Sequence, residues 1–113
     1  EGIEDCPSLE SLAIDFQYIR SLEVLRGCQN LRDLKLSNVN RFTSLEGIED
    51  CPSLESLSIK FTNTLTSLEE IEFCSNLQRF EINEHSLSNL DPESKEILKR
   101  LEENPDVKFV YNF

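Results

Sequence analysis

Four cysteines stand at positions 6, 28, 51 and 74, spaced 22, 23 and 23 residues apart. Thiolates can hold zinc, and paired thiols can form disulfides, but each needs its own geometry. There is no Cys-x-x-Cys pair. If each period is one winding of the chain, equivalent thiols fall in a straight column with parallel side chains. A column gives neither the tetrahedral cage of zinc nor the facing Cβ vectors of a disulfide. The four therefore read as reduced, buried, small apolar side chains. His85 is the single histidine; a catalytic base needs a nucleophile and an orienting third group beside it. The acids of Glu-Gly-Ile-Glu-Asp lack the alternating Asp/Asn-with-Gly pattern of a calcium loop. With three glycines in all, there is no glycine-rich phosphate cradle. No catalytic residue, metal ligand or cofactor is expected, and the chain reads as a non-enzyme.

The beat of the cysteines also sets the elements. Residues 1–14 read EGIEDCPSLESLAI and residues 46–59 read EGIEDCPSLESLSI, differing only at Ala13 and Ser58. Diverged copies, SLEVLRGCQNLRDLKL and SLEEIEFCSNLQRFEI, occupy 21–36 and 67–82. The unit is 22 or 23 residues, and the 45-residue echo is two units duplicated together. Each unit carries one phrase: Leu9-x-x-Leu12-x-Ile14, Leu31-x-x-Leu34-x-Leu36, Leu54-x-x-Leu57-x-Ile59 and Leu77-x-x-Phe80-x-Ile82. Its last three residues alternate apolar and polar, as a half-buried strand requires. Further apolar sets recur at Ile19, Phe42, Leu65 and Leu87, at Leu22, Leu45, Leu68 and Leu90, and at Ile3, Leu25, Ile48 and Ile71. One unit is too small to bury its own apolar face, whereas stacked units bury a continuous aliphatic ladder.

These phrases and their period resemble the leucine-rich-repeat family, over four copies in residues 1–90. The resemblance implies an α/β architecture: a right-handed solenoid with a short parallel sheet on its concave face and helical or irregular turns on its convex face. The SLEGIE return is similar to short-repeat members, and the Cys-Pro-x-Leu opening is similar to cysteine-containing repeats. The family usually sets Asn or Cys two residues before the second apolar set. Here the place holds Gln17, Asn40, Asn63 and His85, so the ladder of side-chain bonds along that edge is expected to be incomplete.

After Asn89 the pattern changes. LDPESKEILKRLEENP reads as a helix over 92–103. Asp91 suits the N-cap, Pro92 the first turn and Glu93 the positive end of the dipole. Ile97, Leu98 and Leu101 make one apolar stripe, Glu96 and Arg100 are spaced as an i,i+4 pair, and Pro105 ends the helix. Aligning Asn104-Pro105-Asp106-Val107 with Cys51-Pro52-Ser53-Leu54 puts Val107 and Val110 at the Leu positions of a fifth strand. Residues 91–113 thus read as a C-terminal cap of helix plus terminal strand. Glu1 aligns with Glu23, Glu46 and Glu69, each preceded by Ser-Leu. The first repeat is accordingly read as truncated at its start, with further chain expected upstream.

The binding candidates are the strand residues that alternate with the inward leucines. They are Arg32, Asp33 and Lys35 in the second unit, Glu55 in the third, Gln78, Arg79 and Glu81 in the fourth, and Phe109 and Tyr111 at the terminal strand. Arg and exposed aromatics are common anchors of interfaces. Phe16 and Phe61, at one place in units one and three, read as edge packing. The net charge of −11, from 22 acids and 11 bases, argues against nucleic acid and for solubility, with a protein partner of basic surface. No run approaches the roughly 18 apolar residues of a membrane span. Reduced buried thiols slightly favour a cytoplasmic setting. The function expected is a non-catalytic protein–protein interaction scaffold binding on the concave face. The alternative is the substrate-recognition or regulatory arm of a larger enzyme or secreted effector, of ubiquitin-ligase type, with the catalytic part upstream. An external adhesin is a third option.

Overall fold

Strands form where the phrases alternate: β1 Ser11–Asp15, β2 Asp33–Ser37, β3 Ser56–Lys60, β4 Arg79–Asn83 and β5 Lys108–Asn112. The computed structural model describes residues 9–15, 28–39, 43–48, 51–62, 64–87 and 89–112. The strands build one parallel sheet in the order β1-β2-β3-β4-β5. The register aligns Leu12, Leu34, Leu57, Phe80 and Phe109 in one column and Ile14, Leu36, Ile59, Ile82 and Tyr111 in the next. Leu34, Leu36, Leu57, Ile59, Phe80 and Ile82 are all buried. Behind them Leu31, Leu54 and Leu77 fill a third column, and the return arcs add Leu45, Leu65, Leu68, Leu90, Ile48 and Ile71, also buried. The apolar sets read from the period are thus one core; Ile3, Ile19, Leu22, Leu25 and Phe42 lie outside the described residues.

The cysteines sit at a paired turn. Cys51 and Cys74 donate their N–H groups to the carbonyls of Ile48 and Ile71 at 3.0 and 2.9 Å. In turn, the carbonyls of Cys28, Cys51 and Cys74 accept the N–H of the residue three further on, Leu31, Leu54 and Leu77, at 3.2–3.3 Å. All three side chains are buried, and none is in a disulfide. Cys6 lies outside the described residues.

Each strand is approached in the same way. The carbonyls of Glu10, Arg32 and Glu55 each accept two successive N–H groups from the next winding: Arg32 and Asp33, Glu55 and Ser56, Gln78 and Arg79. Two residues thus oppose one, as in a bulge. At β5 the Gln78 carbonyl accepts Lys108 N–H at 2.8 Å, following Val107 directly. Val107 keeps the turn, its N–H donating to Asn104 at 3.2 Å as Leu77 does to Cys74. One residue is therefore missing between turn and strand. This corrects the fifth-strand alignment. Phe109 and Tyr111 take the inward register, and Val110 pairs with Glu81 on the outward side.

On the return side the backbone makes a second seam. The Thr43 carbonyl accepts the N–H groups of Thr66 and Ser67 at 2.9 and 3.2 Å. The Thr66 carbonyl accepts Asp91 N–H at 2.9 Å. The repeated Ser-Leu-Glu has a local cause: Ser44 and Ser67 Oγ accept the N–H of Glu46 and Glu69, each at 3.3 Å. Gly47 holds φ at 109°, which a side chain would oppose.

Helix α1 spans Pro92–Glu103, with the Asp91 carboxylate accepting Ser94 N–H at 2.8 Å. Ile97 is buried, and Leu98 and Leu101 pack partly against the core. Arg100 pairs with Glu72 at 2.9 Å rather than with Glu96 one turn earlier. The ion pair therefore ties the helix to the 3₁₀ arc Glu69–Phe73. Ser94 Oγ, itself buried, accepts Leu68 N–H at 2.7 Å.

Candidate functional site

Because successive strand residues point to opposite faces, the alternation that buries Leu and Ile also builds an outer face. This open face of the sheet presents rows in register: Ser11, Asp33, Ser56, Arg79 and Lys108, then Ala13, Lys35, Ser58, Glu81 and Val110. Arg32 and Gln78 are exposed and Glu55 half-buried where the chain approaches each strand. These side chains stand on a close-packed aliphatic floor, so their spacing follows from the parallel ladder.

Glu81 is the centre of the face. Its two oxygens meet Lys60 Nζ and an Arg79 guanidinium nitrogen, each at 3.0 Å, and its side chain is only 13% exposed. The two cations keep 38% and 41% of their exposure. A carboxylate held by two charges fixes two long side chains that would otherwise lose entropy on binding. Ser58, between Lys35 and Glu81 in the register, is buried, so the middle of the face is a shallow trough with charged walls. Across it, Asp33 Oδ1 is buried without a hydrogen-bond partner. Such an oxygen gains from any donor brought to it.

The structure brings together Arg32, Asp33, Lys35, Glu55, Gln78, Arg79 and Glu81 on this face. It separates Phe109 and Tyr111 from them. Phe109 stacks on Phe80 with ring centroids 5.8 Å apart, and both residues lie in the inward columns. The cause is the missing residue ahead of β5, which exchanges the two faces of that strand. Lys60 and Val110 are among the members of the face that the sequence reading omitted. Lys60 continues the alternation Ser56, Ser58, and that was its available signal.

At the strand exits, Asn83 Oδ1 accepts Phe61 N–H at 3.1 Å and Ser86 N–H at 3.2 Å. Ser86 Oγ accepts Thr62 N–H at 3.0 Å. These bonds satisfy that edge between the third and fourth windings. Gln17, Asn40, Asn63 and the His85 side chain lie outside what the structure describes. Phe61 is 52% exposed; Phe16 lies outside the described residues.

A concavity of about 640 Å³ lies where the chain approaches β4 and β5, lined by residues 75–78 and 105–108. Its walls are mainly hydrogen-bonding groups, without the apolar lining typical of a small-molecule site. Among the described residues no group of three or more His, Cys, Asp or Glu could hold a metal ion. No described helix is long and apolar enough to cross a membrane.

Residues 29–73 match a family model for leucine-rich repeats, in two copies. No curated protein matches the chain. The matched stretch runs from the turn before β2 to the arc before β4, and the strands on either side continue the same register. Repeats of this family generally serve as non-catalytic platforms for binding other proteins. Residues 29–73 thus carry leucine-rich repeats, and the single ladder of parallel strands continues them on both sides.

Proposed function

We propose that the chain is a non-catalytic scaffold that binds a partner protein on the open face of its sheet. The observation that carries this reading is the Lys60–Glu81–Arg79 cluster facing Asp33 across the Ser56–Ser58 trough. Pre-paired charges beside an unsatisfied carboxylate oxygen favour a partner that supplies its own donors. The open face is of mixed charge: Arg32, Lys35, Lys60, Arg79 and Lys108 stand among Glu10, Asp15, Asp33, Glu55 and Glu81. Balanced charge there contrasts with −11 for the whole chain. A basic partner surface is drawn in by the overall field, while the face itself selects a partner carrying both signs, with Arg or Lys opposite Asp33.

The test places a photo-crosslinking residue at Ser56 and, separately, at Glu103 on α1. The protein captured through Ser56 is then purified and its affinity measured against the chain and its variants. Arg32→Glu with Arg79→Glu is expected to weaken binding about tenfold or more, without change in the melting temperature. Capture through Glu103 alone, or affinity indifferent to the double variant, would remove the open face from the reading.

A further inference from the structure

Five strands give the open face a middle column, β3, which presents Ser56 and Ser58. One strand to either side, about 4.8 Å away, stand columns with opposite orders of charge. β2 presents Asp33 and then Lys35, and β4 presents Arg79 and then Glu81, level in the register. Half a turn about an axis along β3 exchanges β2 with β4 and β1 with β5, and keeps the level of every row. Asp33 then faces a copy of Arg79, Lys35 a copy of Glu81, and Ala13 a copy of Val110. Each of these charges meets its opposite twice over. Ser56 and Ser58 lie on the axis, where a long side chain would meet itself. Two copies of a chain with net charge −11 repel at most approaches, and the balanced open face is where that repulsion is least.

We propose that the occupant of the open face is a second copy of this chain, in a twofold dimer whose two faces meet about β3. The inference rests on the open face being the binding surface, and it names the partner. A twofold interface uses one patch on both copies, so the patch must complement itself. Asp33 has the most to gain. One of its oxygens is buried with no hydrogen-bond partner, and the Arg79 of the other copy brings a guanidinium with N–H donors to spare. That guanidinium is already positioned, because Glu81 holds one of its nitrogens at 3.0 Å. Lys35, in no ion pair among the described residues, meets the other copy's Glu81, whose oxygens keep further acceptor capacity. Lys60 and Glu55, at the two ends of the middle column, meet their own copies; each Lys60 ammonium is already paired with Glu81 at 3.0 Å. Five strands of five residues cover only about 24 by 17 Å. The interface is small and the dimer weak, with a Kd of about 10–100 µM.

The test is sedimentation velocity of the full chain from about 5 to 500 µM, where a concentration-dependent dimer is expected. Asp33→Arg sets cation against cation across the interface, and Arg79→Asp sets anion against anion. Each variant alone should associate at least about tenfold more weakly. Mixed in equal amounts, the two should regain the association of the unaltered chain, because both pairs return with their charges exchanged. Lys35→Glu and Glu81→Lys form a second such couple, and a variant that had merely unfolded could not be rescued by mixing. A photo-crosslinking residue at Ser56 should capture another copy of the chain through β3. A monomer at every concentration, a dimer indifferent to all four variants, or neither couple associating when mixed would overturn the proposal. The two levels of the reading fail differently. A monomeric chain whose Ser56 captures a different protein loses the second copy and keeps the open face. A dimer indifferent to the variants, captured through Glu103 and not through Ser56, removes both.

Discussion

Phe61 holds φ at 55°, in the left-handed region, which costs an L-residue with a Cβ about 1–2 kcal/mol. Its counterpart one unit earlier, Asn38, also at 55°, is a residue type that tolerates this region. The phenylalanine is kept there by its neighbours, with Asn83 Oδ1 accepting its N–H. The residue is about half exposed, so burial offsets that cost only in part. Phe61→Asn is therefore expected to stabilise the fold by about 0.5–1 kcal/mol, seen as a higher urea midpoint at unchanged slope. A lower midpoint would mean that ring contacts outweigh the strain. None of this was legible in the letters: two phenylalanines at one place in alternate units look like packing, since a positive φ leaves no mark on a Phe. Asn83 was similarly hidden. It ends a strand phrase, and only the three-dimensional proximity of the preceding winding reveals which N–H groups it serves.

At the scale of elements, legibility follows whether a signal is local. The start of α1 is written in Asp91 and Pro92, because capping chemistry acts within one turn. Where the helix docks is not written there. It depends on Ser94 accepting the Leu68 N–H across 26 residues. Ser94→Ala would leave that buried donor unsatisfied, and a loss of about 1–3 kcal/mol is expected. Hydrogen exchange should locate it, with the Leu68 amide losing protection while Asp91 still caps the helix. Unchanged protection at Leu68 would show that another acceptor takes the bond. The β5 register failed for the opposite reason. Asn-Pro-Asp-Val copies the turn letters of Cys-Pro-Ser-Leu, and the turn is indeed the same. The deleted residue lies after the copied letters, so the alignment carried the wrong phase into the strand. Phe109 and Tyr111 changed faces as a result, which is why two of the nine candidate residues leave the open face.

For the whole molecule, the parallel ladder was legible because a strict period admits one stacking. The columns headed by Leu12 and Ile14 run through all five strands. Cys28, Cys51 and Cys74 share that interior, at 0%, 1% and 7% exposure. In native buffer these three thiols should react with an aromatic disulfide reagent only as fast as the fold opens. All four should react at once in denaturant. More than one fast thiol in native buffer would contradict the buried column. The two backbone seams have a mechanical consequence. Each links neighbouring windings, one through the strands and one through Thr43, Thr66 and Asp91. A coil stitched along a single line can fan open like the pages of a book. One stitched along two lines resists both fanning and swivelling, so its curvature is set before any encounter and the entropy of conforming falls on the visiting molecule.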